Sequence, residues 1–194
     1  SKNFQLFEFV NSQTAANRGI SNMPNQAEID SLTLLCTQIL QPARDALGPL
    51  KINSGFRSAA LNAAVGGSKT SDHRKGFAAD VVPVKTTTLE LAKWVVKNVK
   101  KYDQVILEFG TPDHPDWIHL SANPRNRKQI LRASLTGKKT VYTEIKAKDM
   151  GDPAGPIETP KPEPNKPDGR VTQPTSVVYP KTMEGGVKWI KDTF

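Results

Sequence analysis

The chain is 194 residues long, carries a formal charge of +8, and is 37% hydrophobic and 24% charged. That length holds one domain of ordinary size, with or without an appendage, but not two full ones. No run approaches the roughly 18–20 apolar residues of a membrane span, and the N-terminal S-K-N-F-Q-L-F-E-F-V lacks the basic-then-apolar order of a signal peptide, so a soluble chain with no export address of its own is expected. The apolar share is somewhat below the globular norm, which places part of the chain outside the core, and the single Cys36 excludes an intrachain disulfide.

The excess positive charge sits before residue 151, because residues 151–194 contain six Lys or Arg and six Asp or Glu. A basic domain is attracted to polyanions, nucleic acid and anionic cell envelope alike. No basic motif interleaved with aromatics is present, so nucleic-acid binding is not expected. Lys93, Lys97, Lys100 and Lys101 share a helical stretch with Leu91, Val95 and Val99 on another face, which reads as the solvated side of an amphipathic helix.

In chain order, the spacing of Ile29, Leu32, Leu35, Cys36, Ile39, Leu40, Ala43 and Leu47 predicts a helix from Asn25 to Leu47. Asn25 and Glu28 form its capping signature, Gly48 stops it, and Pro42 is expected to kink it or split off its last turn. Cys36 falls on its apolar face as a small core residue. Then come an extended piece around 50–54, a short helix over 58–65 closed by Gly66-Gly67, and a polar loop over 68–75. A strand over 77–84, a helix over about 87–101, a strand over 104–109, a turn-rich loop and a strand over 117–121 follow. Residues 128–134 and 140–146 are candidates for further elements. Helices and strands mix without regular β-α-β alternation, so the fold class is α+β and not a doubly wound sheet.

After about Met150, Pro recurs at 153, 156, 160, 162, 164, 167, 174 and 180. This composition predicts an extended linker over 149–180 behind a domain of residues 1–148. The terminal V-K-W-I-K-D-T-F regains apolar character at Val187, Trp189, Ile190 and Phe194 and reads as a docking peptide over 181–194.

His73, His114 and His119 are the chain's three histidines. In S-D-H-R-K-G-F-A-A-D, His73 precedes by seven residues an Asp80 set within the apolar run A-A-D-V-V; such an Asp is costly unless hydrogen-bonded, paired or metal-bound. In D-H-P-D-W-I-H, His119 lies in a short strand. Two imidazoles and a carboxylate would suffice for a hydrolytic zinc site, and His73, Asp80 and His119 are such a set. By strand alternation Trp117 shares the face of His119, while Asp116 points away unless it precedes the regular strand. On the residues alone, an exposed His and a backbone-bonded Asp remain alternatives to a metal site.

The order S-x-H-x-x-G-x-A-x-D, then D-x-x-H, with S-G-F-R-S upstream at 54–58, resembles the LAS zinc peptidases. These are the D-Ala-D-Ala carboxypeptidases, D-Ala-D-Ala dipeptidases and phage L-alanyl-D-glutamate endopeptidases. The resemblance covers roughly residues 4–135 and implies a small, mostly antiparallel sheet flanked by helices. It implies zinc held by His73, Asp80 and His119, Asp116 as general base, Arg57 polarising the scissile carbonyl, and Ser71 contacting substrate. Several relatives have Glu where Asp116 stands. The implied substrate is the peptide of bacterial peptidoglycan, with phage structural proteins as further partners through the C-terminal arm, either in a virion or as a free endolysin made in the host cytoplasm and acting at the cell wall. A non-catalytic particle protein retaining the fold is the alternative. His114 reads as a loop residue, and Trp117 as packing behind the metal strand in preference to stacking on a sugar.

Overall fold

The computed structural model describes residues 1–150. The expected Pro-rich linker and docking peptide lie outside the described residues, apart from the linker's first two positions.

Two short helices, α1 (Leu6–Val10) and α2 (Gln13–Arg18), precede the long apolar-striped segment. That segment is one continuous rod in three parts: α3 (Gln26–Leu35), a π-helical stretch Cys36–Leu40, and α4 (Gln41–Leu47). The Asn25 side chain accepts from the Glu28 amide at 3.0 Å, and the Glu28 carboxylate accepts from the Asn25 amide at 2.7 Å, giving the expected capping box. Pro42 lacks the N–H an uninterrupted α-helix would use; the ladder widens just before it, where the Gln41 amide reaches back to the Cys36 carbonyl. The proline is thus absorbed by a change of helical pitch within the rod.

The remaining elements are β1 (Leu50–Ser54), α5 (Ala59–Ala64), a 3₁₀ turn Asp72–Lys75, β2 (Ala78–Pro83), α6 (Thr88–Asn98), β3 (Gln104–Glu108), β4 (Trp117–Ser121), β5 (Gln129–Thr136) and β6 (Lys139–Glu144). The six strands form one sheet in the order β1-β2-β4-β3-β5-β6, antiparallel except for the β3–β5 pair. The architecture is α+β, as the sequence implies.

Alternation along the strands gives the sheet two different faces. Ala79, Val81, Val105, Leu107, Ile118, Leu120 and Ile130 point to one side, where they pack with Leu32, Leu35, Cys36, Ile39 and Leu40 of the rod and Leu91 and Val95 of α6. Cys36 is fully buried there, as expected, and Met150 closes the same core. Burial pushes its thiol up to about 12, so it stays a neutral core group. The solvated reading of α6 also holds: Lys93 and Lys97 are exposed while Leu91 and Val95 are buried. The opposite face of the sheet carries the polar residues that the sequence singles out.

Candidate metal centre

Directly opposed residues in a ladder project to the same side. Asp80 opposes His119 across β2–β4, His119 opposes Ile106 across β4–β3, and Ser54 opposes Asp80 across β1–β2. That last pairing depends on a bulge: the register slips by one residue between Ile52 and Ser54 and turns Ser54 toward Asp80. The third donor comes from the 3₁₀ turn just ahead of β2, where His73 is brought over the sheet.

The His73 Nε2, His119 Nδ1 and Asp80 Oδ1 atoms meet at 3.1 Å (His73–His119), 3.2 Å (His73–Asp80) and 3.1 Å (His119–Asp80), and all three residues are buried. Donors of a tetrahedral zinc site, at about 2.0–2.1 Å from the ion, stand about 3.3–3.4 Å apart, so the spacing fits. The tautomer fits too: His73 Nδ1 donates to the Gly55 carbonyl at 2.7 Å, which leaves Nε2 as an acceptor toward the centre. The Arg57 amide returns a bond to the His73 carbonyl at 3.1 Å, locking the 55–57 loop to the turn. Gly55 is required there, because a Cβ would lie 2.6 Å from the Phe9 Cα.

Charges inside the cluster are mutually adjusted. Burial lowers the His73 imidazole below its ordinary range, against the opposing pull of Asp80. Burial opposes ionisation of Asp80, but the two imidazoles and the Arg57 guanidinium together hold its carboxyl well below the carboxylate range. Burial also works against a charged His119, yet the hydrogen bond and charge of Asp80, followed by Glu108, raise it. A metal cation at the centre replaces protons on such groups, as ligand sets of this type require.

Around the triad, Arg57 Nη2 donates to the second oxygen of Asp80 at 2.6 Å, and Arg57 Nε donates to Ser54 Oγ at 2.8 Å. Ser71 lies at the head of the 3₁₀ turn, half-buried, its carbonyl accepting from the Arg74 amide at 3.2 Å. Asp116 is exposed immediately before β4; its amide donates to the Glu108 carbonyl at 3.0 Å, and its carboxylate makes no hydrogen bond or ion pair with the triad among the described residues. Asp116 lies against Gly110, where a Cβ would approach its Oδ1 to 3.0 Å. His114 is an exposed loop residue, as the sequence suggests. Trp117 shares the triad's face, lies 5.2 Å from Phe109 centroid to centroid, and donates its indole N–H to Glu108 Oε2 at 3.1 Å.

Two features escaped the sequence reading. One is a polar network behind His73: Asp72 accepts from Ser121 Oγ at 2.7 Å, Asn123 Nδ2 at 2.8 Å and Arg125 Nη2 at 2.8 Å, and Arg125 reaches on to Asp103 at 3.0 Å. Asp103, wholly buried, is also held by Arg127 at 2.6 Å. This network ties the turn bearing His73 to the exit of the strand bearing His119. The other is Glu108, on the same face as Trp117 and His119 by register. Burial first, and then the charge of Asp80, push its carboxyl up to about 7. Its place at the end of the apolar strand Q-V-I-L-E and the alternation with Ile106 were the only sequence signals.

A search of curated proteins returned no match. The sequence model of the peptidase M15 family matches residues 2–121, which include all three residues of the triad and both strands that carry Asp80 and His119. The chain therefore belongs to the peptidase M15 family.

Proposed function

We propose that the chain is a zinc-dependent peptidase that hydrolyses a D-amino-acid-containing bond of the peptide in bacterial cell wall. The observation that carries this reading is the meeting of His73 Nε2, His119 Nδ1 and Asp80 Oδ1 within 3.2 Å of one another on the open face of the sheet, in a chain of a peptidase family. Zinc, when bound, supplies Lewis acidity that polarises a carbonyl and acidifies water.

The protein's own groups supply the rest. Arg57 neutralises Asp80 through one arm of its guanidinium and turns its remaining donors toward the oxygen of a bound carbonyl, where they stabilise developing negative charge. Asp116, three residues before His119, accepts the proton of the attacking water and returns it to the leaving amine. Ser71 offers a hydroxyl beside the His73 turn to a substrate carboxylate. His73 is held by Gly55 and cannot rotate away, so the donor set is organised before substrate arrives. Service in a phage particle or as a phage endolysin belongs to the same proposal; shortening the chain after about residue 150 is then expected to spare peptidase activity and abolish incorporation into the particle.

The test of the proton role is Asp116→Asn. The variant is expected to keep zinc and fold but to lose about 10²–10⁴ in turnover, the range of general acid–base catalysis. Turnover near that of the wild type moves the role to another carboxylate.

A further inference from the structure

Asp72, Asp80, Asp103 and Glu108 are all wholly or partly withdrawn from water, and the first three are each matched to a guanidinium. Asp72 has Arg125 at 2.8 Å, Asp80 has Arg57 at 2.6 Å, and Asp103 has Arg127 at 2.6 Å. Glu108 differs. Its Oε2 accepts the Trp117 indole N–H, a neutral donor, and among the described residues no Lys or Arg forms an ion pair with it and no donor reaches its Oε1. The fold supplies a paired guanidinium at each of the other three, whereas on partly buried Glu108 the charges of His119 and Arg57 act without forming an ion pair.

What surrounds Glu108 suits a further cation brought by the substrate. Ladder register places Ala133 opposite Glu108 across β3–β5 and Tyr142 opposite Ala133 across β5–β6, so Tyr142 projects from the same face as Glu108 and Trp117. Tyr142 is 54% exposed. Between them Ile106, Leu131 and Ala133 form a separate small apolar floor, distinct from the main core. A carboxylate over an apolar floor, flanked by two aromatic side chains, is the composition that receives an ammonium group. Sheet order sets its direction: Arg57 flanks the triad from the β1–β2 side, and Glu108 flanks it from β3, with Asp80 and His119 between them. Leu131, Ala133 and Tyr142 lie beyond residue 121, outside the family match, while Glu108 and Trp117 lie inside it.

We propose that Glu108, with Trp117 and Tyr142, forms a specificity subsite that receives an amino group of the substrate peptide, on the side of the triad opposite Arg57. The proposal rests on the peptidase reading above and extends it to the substrate: a peptide with a free amine on one side of the scissile bond and its carbonyl directed to Arg57.

Three synthetic peptides test it: L-Ala-γ-D-Glu-L-Lys-D-Ala-D-Ala with both amines free, acetylated at the α-amine, or acetylated at the lysine amine. Binding to the full zinc-loaded chain is read by calorimetry and cleavage by chromatography. One of the two acetylations is expected to weaken binding and raise KM by about tenfold or more, the loss that follows removal of a charge-assisted hydrogen bond. Glu108→Gln is expected to level the three peptides, and Tyr142→Ala, at an exposed site that leaves folding intact, to shrink the preference. Equal binding of all three peptides by the wild type overturns the subsite, as does a preference that survives in both variants. Discrimination in binding without cleavage of any peptide keeps the subsite and overturns the peptidase reading. Failure to bind any peptide, with cell-wall material still cleaved, does the reverse.

Discussion

Replacing Asp72 by Asn separates the structural contribution of the buried network from the chemistry of the site. The carboxylate accepts from Ser121, Asn123 and Arg125, all at 2.7–2.8 Å, and is buried, while the Arg125 side chain is 47% exposed. The amide keeps the shape but loses the charge, and its NH₂ group faces a donor wherever it is turned. Breaking a fully buried pair costs about 3–5 kcal/mol, and the exposure of Arg125 reduces this because water takes over part of its solvation. A loss of about 2–3 kcal/mol follows, equivalent to roughly 5–10 °C in Tm for a domain of this size. Because Asp72 precedes His73, looser anchoring is also expected to weaken zinc binding by about 10–100-fold, the usual consequence of losing a partner that supports a metal ligand. Urea unfolding of the metal-free protein and a competitive zinc titration measure the two effects. A stability change under about 0.5 kcal/mol, within the usual range for surface substitutions, together with unchanged zinc affinity, would refute the reasoning. Arg125→Ala is expected to cost less than Asp72→Asn, since Ser121 and Asn123 still satisfy Asp72 and Arg127 still holds Asp103.

Two further outcomes follow from single contacts. Gly55→Ala forces a Cβ to 2.6 Å from backbone at Phe9, so it is expected to destabilise the fold by about 1–3 kcal/mol and to shift the carbonyl that orients His73, with reduced zinc affinity as the second readout. For Asp103, burial opposes ionisation but the hydrogen bonds and charges of Arg127 and Arg125 outweigh it, so its folded pKa lies below the ordinary value. A depressed carboxyl contributes stability above the unfolded pKa of about 3.9 and loses it as pH falls through the folded value. Urea melts between pH 5 and the acid limit are therefore expected to show a steeper stability loss in the wild type than in Asp103→Asn, and parallel slopes would contradict the assignment.

The long rod was legible because its signals are local: the apolar stripe from Ile29 to Leu47 repeats within one turn, and Asn25 and Glu28 cap it across three residues. The triad was legible for a related reason. A carboxylate inside A-A-D-V-V and a histidine inside a short strand are each anomalous in place, and the order of motifs joined them. What stayed hidden is long-range. Asp72 and Arg125 are separated by 53 positions, and Asp103 and Arg127 by 24, so each reads as an ordinary surface charge until the fold brings them together. The bulge that turns Ser54 toward Asp80 has no residue signature in L-K-I-N-S, and the pitch change before Pro42 is one of several ways a helix can accommodate a proline. Glu108 lies at the end of the apolar strand Q-V-I-L-E, and its lack of an ion-pair partner is visible only once the partners of the other carboxylates are known.

The most direct measurement of the central claim is mass spectrometry of purified cell-wall muropeptides after incubation with the full chain, in the presence of zinc, after chelation, and after zinc is restored. The account predicts a single new cleavage product at a D-amino-acid-containing bond, lost on chelation, regained with zinc, and absent with His119→Ala. An unchanged product pattern in excess chelator, or no product in any condition from a folded and zinc-loaded chain, would contradict it.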